Sequence, residues 1–166
     1  SLEVQTSRVI LQAIADTEGG ILVFLPGEAE IKRTSRLLQD KLPKNCILRP
    51  LLGNLPFAQQ QLAIRPEPTL RKIVLATAIA ETSLTIQDVR VVIDCGLSRR
   101  ARYDPTKGLQ KLVTERVSKA EATQRTGRAG RVAAGQCYRM WARVEEGSMQ
   151  AYAPPEIQIS DLAPFA

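Results

Sequence analysis

The stretch Lys72-Ile-Val-Leu-Ala-Thr-Ala-Ile-Ala-Glu-Thr-Ser-Leu-Thr-Ile86 begins as an apolar run, Lys72 to Ala76, and then breaks into small and hydroxyl-bearing residues. A buried strand that ends this way puts its hydroxyls at the edge where open α/β sheets bind ligands. Similar β-rich runs recur at Ile21–Leu25, Cys46–Leu51, Val91–Asp94 and Cys137–Trp141, with helical stretches between several of them. Such alternation predicts an α/β fold: a parallel sheet with helices on its faces.

The punctuation between the runs is equally readable. Ile10 and Ile14 stand one turn apart in a helix predicted over Ser7 to Asp16, which Gly19-Gly20 ends. A second helix is expected from Glu28 to about Leu42, with acids in its first turn, Ile31, Leu38 and Leu42 towards the sheet, and Pro43 as its stop. Pro56 begins a shorter helix through Ile64, followed by a Pro66-Glu-Pro68 loop. Ser118-Lys-Ala-Glu121 has the capping-box form and starts another. From about 99 to 117 the pattern changes, because Arg102-Tyr-Asp-Pro-Thr-Lys-Gly108 supplies turn chemistry between two extended segments. A projecting β-hairpin is expected there, with Leu109, Leu112 and Val113 bracing its base.

Within the helix that the capping box opens, Gln124-Arg-Thr-Gly-Arg-Ala-Gly-Arg131 places Gln124, Arg128 and Arg131 at i, i+4 and i+7. A helix continuing through them would carry all three on one face. Guanidinium forks match phosphate oxygens, and glycines at 127 and 130 let another backbone come close. The same spacing also suits a solvated basic helix end.

At 166 residues with 44% hydrophobic content the chain suits one domain, 1–166, with a real core. No apolar run is long enough for a membrane span, and no signal-like start is seen, so a cytoplasmic location is expected. Cys46, Cys95 and Cys137 are far apart and histidine is absent, which argues against a zinc site or a disulfide framework. Cys46 and Cys137 are read as buried structural thiols. The net charge of +6 is concentrated: residues 98–131 hold ten Lys/Arg against three acids, giving +7 there and −1 over the rest. A local stripe of this sign is the footprint of a phosphate partner, nucleotide or nucleic acid, although it can also be a solvated face.

Taken together, these blocks resemble motifs V and VI of superfamily 2 helicases of the DEAH/RHA type. Ile21-Leu-Val-Phe-Leu-Pro-Gly27 resembles motif IV, and Leu52-Gly-Asn-Leu-Pro56 with Gln59 and Gln60 resembles motif IVa. Val91-Val-Ile-Asp-Cys-Gly-Leu-Ser-Arg99 fits the spacer, and the matches run on to Asp161-Leu-Ala-Pro164. The flavour is that of the bacterial HrpB helicases. The resemblance implies a RecA-like second motor domain, with a connection to further domains starting after about 147. It implies ATP with Mg²⁺ as the cofactor, single-stranded RNA, or DNA, as the partner, and a first RecA-like domain holding the metal.

By the same resemblance Arg128 and Arg131 are arginine fingers, Gln124 is a polar group near the attacking water, and Ile64, Gln87 and Asp88 lie near the nucleotide's base and ribose. Gly53, Asn54, Leu55, Thr77, Ala78, Ser83 and Thr85 hold backbone phosphates, while Thr77 could equally just end its strand. The hairpin is a wedge at the duplex junction, or an inert surface hairpin. Arg100, Arg102 and Tyr103 either contact nucleic acid or pack locally. Three positions depart from the family pattern: Ala78 stands for Asn, Ile64 for a base-stacking Phe, and Gln87 for an acid that meets the ribose. Nucleotide selectivity is therefore expected to be loose.

No G-x-x-x-x-G-K-[ST] run occurs, and without histidine there is no DEAH box, so the isolated chain is expected not to hydrolyse ATP. The alternative is a standalone nucleic-acid-binding module without NTPase activity. A dinucleotide-binding domain is disfavoured, because no G-x-G-x-x-G follows a strand.

Overall fold

The computed structural model describes residues 1–53, 55–78, 80, 85–128 and 136–141. In chain order the elements are α1 (Leu2–Asp16), β1 (Gly20–Phe24), α2 (Glu28–Leu38), β2 (Cys46–Pro50), α3 (Phe57–Ile64), β3 (Arg71–Ala76), β4 (Val89–Asp94), β5 (Leu97–Asp104), β6 (Leu109–Arg116), α4 (Lys119–Gly127) and β7 (Gln136–Arg139). Five of the strands form one sheet in the order β2-β3-β1-β4-β7, every neighbouring pair parallel. The expected α/β architecture is what the chain adopts.

Parallel strands are covered on both faces, and the residues alternate accordingly. Ile21, Val23, Ile73, Leu75, Val91 and Ile93 pack with Ile10 and Ala13 of α1 and Ile31 and Leu38 of α2. Leu22, Phe24, Val74, Ala76 and Val92 form the opposite layer with Ala63 of α3. The two layers fix which way each strand end points.

Several boundaries move, each for a local reason. α1 starts at Leu2 rather than Ser7, because the Thr6 and Ser7 hydroxyls donate to Leu2 O and Glu3 O, both at 2.7 Å, and stay inside the helix. Ser1 then caps it, its Oγ accepting from Val4 N–H. α2 ends at Leu38, and the segment to Leu42 continues as turns before Pro43. At the end of α1, Gly19 has φ +90°, and a Cβ on Gly20 would meet Asp88 O at 2.4 Å. Gly19-Gly20 therefore lets the chain enter β1 close against the segment leading into β4.

The hairpin pairs Leu97 with Arg116 at its root and Asp104 with Leu109 at its tip. Asp104 organises the turn: its Oδ1 accepts from Thr106 N–H and Oγ1–H, and its carbonyl accepts from Gly108 N–H at 2.8 Å. Leu109 and Leu112 do not brace the base. They are 64% and 70% exposed, because the register carries Leu109 to the tip. The root is instead held by Val117, fully buried with Ala122 of α4. The reading of Cys46 and Cys137 is also corrected, since both are half-buried and Cys95 is the buried thiol. Strands β2 and β7 lie at the two edges of the sheet, which leaves their side chains less covered. Burial pushes the Cys95 thiol up to about 12.

Candidate nucleotide and nucleic-acid interface

The capping box on α4 is complete. Ser118 Oγ accepts from Glu121 N–H at 3.1 Å and Glu121 Oε1 accepts from Ser118 N–H at 2.9 Å. Past that start, Ala122 and Arg125 face inward while Gln124 is exposed. A Cβ on Gly127 would meet nothing within 4 Å among the described residues. Gln124 and Arg128 do not both project. Arg128 is the C-cap, with φ −69° and ψ −24°, and keeps 7% of its surface. The described helix ends at Gly127, and Arg131 lies outside the described residues.

The residue that orients this helix is one the spacing argument passed over. Arg125 is fully buried, its Nη1 donating to Asp94 Oδ1 at 2.8 Å and to Leu97 O at 3.3 Å. Its guanidinium lies 4.7 Å from the centre of the Phe24 ring. Asp94 Oδ1 also accepts from Gly96 N–H at 2.9 Å. α4 is thereby fastened to the ends of β1 and β4 at one point. The available signal was Asp94 itself, an acid closing the apolar run Val91–Ile93.

The nucleotide-base candidates come together where β3 and β4 begin. Gln87 N–H donates to Ile64 O at 2.9 Å; Ile64 is half-buried, and Gln87 and Asp88 are exposed. Lys72, also missed, locks this junction. Its Nζ donates to Arg65 O at 2.7 Å, Gln87 O at 3.0 Å and Ile64 O at 3.5 Å. Only 2% of Lys72 is exposed, and burial lowers its pKa from the usual lysine range. Beside it opens a cleft of about 820 Å³ whose lining includes Glu67, Lys72, Asp88 and Arg90.

Four of the strand-holding candidates lie at the other end of the same strands, the end to which α4 is fastened. Gly53 and Leu55 follow β2, and Thr77 and Ala78 follow β3. The loop after β2 is fastened by Leu51 N–H to Leu75 O at 2.8 Å and by Gln60 Nε2 to Leu55 O at 3.0 Å. Thr77 and Ala78 are half-buried and Thr85 is exposed; Asn54 and Ser83 lie outside the described residues. Thr77 and Ala78 are thus separated from Ile64, Gln87 and Asp88 by the length of β3, about 20 Å for its six residues, whereas Thr85 stands two residues from Gln87.

On the hairpin only one of the three expected contacts is presented. Tyr103 is 45% exposed. Arg102 is buried, with Nε and Nη2 both on the Glu115 carboxylate, and Arg100 donates to Glu121 at 2.5 Å. Carboxylates on β6 and α4 therefore take the guanidiniums expected to meet nucleic acid, while Lys107 and Lys111 near the tip are exposed.

The family profile described as helicase conserved C-terminal domain matches residues 5–133. The chain belongs to that family. This helicase C-terminal domain is 44% identical over 153 residues to the ATP-dependent RNA helicase HrpB of Escherichia coli K12, covering 92% of the chain and 19% of HrpB. It is 41% identical over 156 residues to the human ATP-dependent RNA helicase DHX33, covering 90% of the chain and 22% of DHX33. A crystal structure of the E. coli DExH-box NTPase HrpB superposes with a TM-score of 0.93 at 41% identity, over 97% of this chain and 20% of that one. Another, of HrpB as a DEAH/RHA helicase, gives 0.87 at 43% identity, over 96% and 20%. The DEAH/RHA resemblance is thereby established, and the chain spans about a fifth of the length of these relatives. Among the described residues no helix is long and apolar enough to cross a membrane, and no three His, Cys, Asp or Glu side chains group as a metal site.

Proposed function

We propose that this helicase C-terminal domain is the second motor half of an ATP-dependent RNA helicase, completed by a first RecA-like domain that binds ATP with Mg²⁺. The observation that carries this reading is that α4, with Gln124 and Arg128, is fastened to the ends of β1 and β4, beside the end of β3 from which Thr77 and Ala78 follow, on one rigid parallel sheet. Movement of α4 on binding phosphates then displaces the grip beside it.

In this reading, closure of the two domains brings Gln124, Arg128 and Arg131 to the nucleotide phosphates, where guanidiniums stabilise the charge that spreads during phosphoryl transfer. Closure has to bring the Arg128 fork out of its covered position at the helix cap. Ile64, Gln87 and Asp88 border the base and ribose, and Ile64 supplies aliphatic contact in place of ring stacking. Gly53, Asn54, Leu55, Thr77, Ala78, Ser83 and Thr85 position the strand through hydroxyls and backbone N–H groups without reading its sequence. After hydrolysis the domains part and the grip advances, while the hairpin blocks the opposing strand. The isolated chain does not hydrolyse ATP.

The test is Arg128→Ala in the parent protein. NTP hydrolysis is expected to fall by about 10³-fold or more with RNA binding intact. Unchanged hydrolysis rejects the finger role, and a parent protein without a phosphate-binding loop supports the standalone module instead.

A further inference from the structure

A two-stranded hairpin is a weak lever, because an isolated pair of strands in water is marginally stable and bends. Here two consecutive residues near its root leave the ladder in opposite directions. Arg99 reaches α2, donating from Nη1 and Nη2 to Glu30 Oε1 and Oε2 at 3.0 and 2.7 Å. Arg100 reaches α4, donating from Nη2 to Glu121 Oε1 at 2.5 Å. Successive residues of a strand point to opposite faces, which is why neighbouring arginines can straddle the body of the domain.

Both acceptors are themselves held. Glu121 is fixed by the Ser118 N–H of the capping box, and Glu30 sits in the first turn of α2. The four side chains are mostly covered, at 26% and 16% exposure for Arg99 and Arg100 and 12% and 13% for Glu30 and Glu121. Charge-assisted, bidentate or capped pairs of this kind hold geometry better than loose surface ion pairs. A second link on α4 lies one turn further on, where Arg125 donates to Leu97 O at the hairpin root.

We propose that Arg99–Glu30 and Arg100–Glu121 are a pair of braces that make the hairpin rigid with the domain, so that displacement during the NTP cycle reaches the strand junction. The proposal rests on the wedge reading of the hairpin given above. The four residues are positioning residues; none touches nucleotide or reacting atoms. Without the braces, domain motion is absorbed by bending at Leu97 and Arg116.

The experiment compares Glu30→Gln, Glu121→Gln and the double variant in the parent protein, recording RNA-stimulated NTP hydrolysis and duplexes unwound per NTP consumed. Glutamine at 121 keeps a side-chain oxygen for the Ser118 cap. The double variant is expected to hydrolyse NTP at the parent rate while unwinding per NTP drops about tenfold, the equivalent of one charge-assisted hydrogen bond. The exchange Glu30→Arg with Arg99→Glu, introduced together, restores unwinding above either single change. Parent-like unwinding per NTP in the double variant overturns the proposal, as does a parallel loss of hydrolysis and unwinding, which marks a general folding role. Replacement of the tip residues 105–108 by a two-glycine turn separates the two readings. If that change leaves unwinding intact, the wedge reading fails; if it abolishes unwinding while the double glutamine variant is unaffected, only the braces fail.

Discussion

Asp94 and Arg125 show how much one buried pair decides. Both are at 0% exposure, one closes β4 and the other lies in the last turn of α4, and together they orient the helix that carries Gln124. Removing one partner strands a charge in a low-dielectric site, which costs about 3–5 kcal/mol. Asp94→Ala is therefore expected to lower unfolding stability by about that amount in urea titration of the chain, whereas Glu28→Ala, which breaks the exposed pair with Lys32, changes it by less than about 1 kcal/mol. Cys95 gives a second check at this scale. Its thiol, held up at about 12 by burial, is expected to resist iodoacetamide at pH 8 until the chain is unfolded, while half-buried Cys46 reacts in the native state.

At the scale of the element, the hairpin is where acid acts. Hydrogen bonds from Arg99 hold the Glu30 carboxyl below the ordinary glutamate range. Burial opposes the same change at Glu121, where the Ser118 N–H and Arg100 outweigh it and lower the pKa. A carboxyl depressed on folding contributes stability that is present above its unfolded pKa and is lost as pH falls through the folded value. Parent and Glu30→Gln/Glu121→Gln chains are therefore expected to converge in melting temperature as pH drops from about 6 to about 3, across the carboxylate range. A constant gap between the two curves would show that these carboxyls are not the acid-labile links. Charge content alone could not reveal this, because the excess of arginine at 98–131 reads equally as phosphate-binding surface and as internal bracing. Arg100 and Arg102 pair with Glu121 and Glu115, while Lys107 and Lys111 are exposed.

Across the whole molecule, the sheet separates two sets of candidate residues that are close together in sequence, Thr77 with Ala78 and Gln87 with Asp88. Thr77 and Ala78 follow the end of β3, and Gln87 and Asp88 precede the beginning of the parallel β4, so the chain returns along the sheet between them. Changes at the two ends are expected to be separable. Ile64→Phe in the parent protein should lower KM for ATP up to about tenfold by adding ring stacking of about 0.5–1.5 kcal/mol, with single-strand RNA affinity unchanged. Thr77→Val should weaken single-strand binding alike for all base sequences, with little change in KM. Fluorescence anisotropy and steady-state hydrolysis measure both, and crossed effects would reject the division.

Whatever depends on neighbours a few positions away was legible in the chain itself: the apolar strand runs, the Gly19-Gly20 break, the Ser118–Glu121 capping box, the Asp104–Gly108 turn and the motif blocks that mark the helicase family. Local backbone chemistry sets these, and it is written within one turn or one strand of sequence. The tertiary structure alone decided that Arg125 closes on Asp94 across 31 positions and Arg99 on Glu30 across 69, that Lys72 ties the segments before β3 and β4 together from inside a strand, and that Leu109 and Leu112 stand in solvent. A side chain's partner across such separations depends on which faces the packed sheet brings together, and residue type states only that a charge needs a partner, not which one it finds.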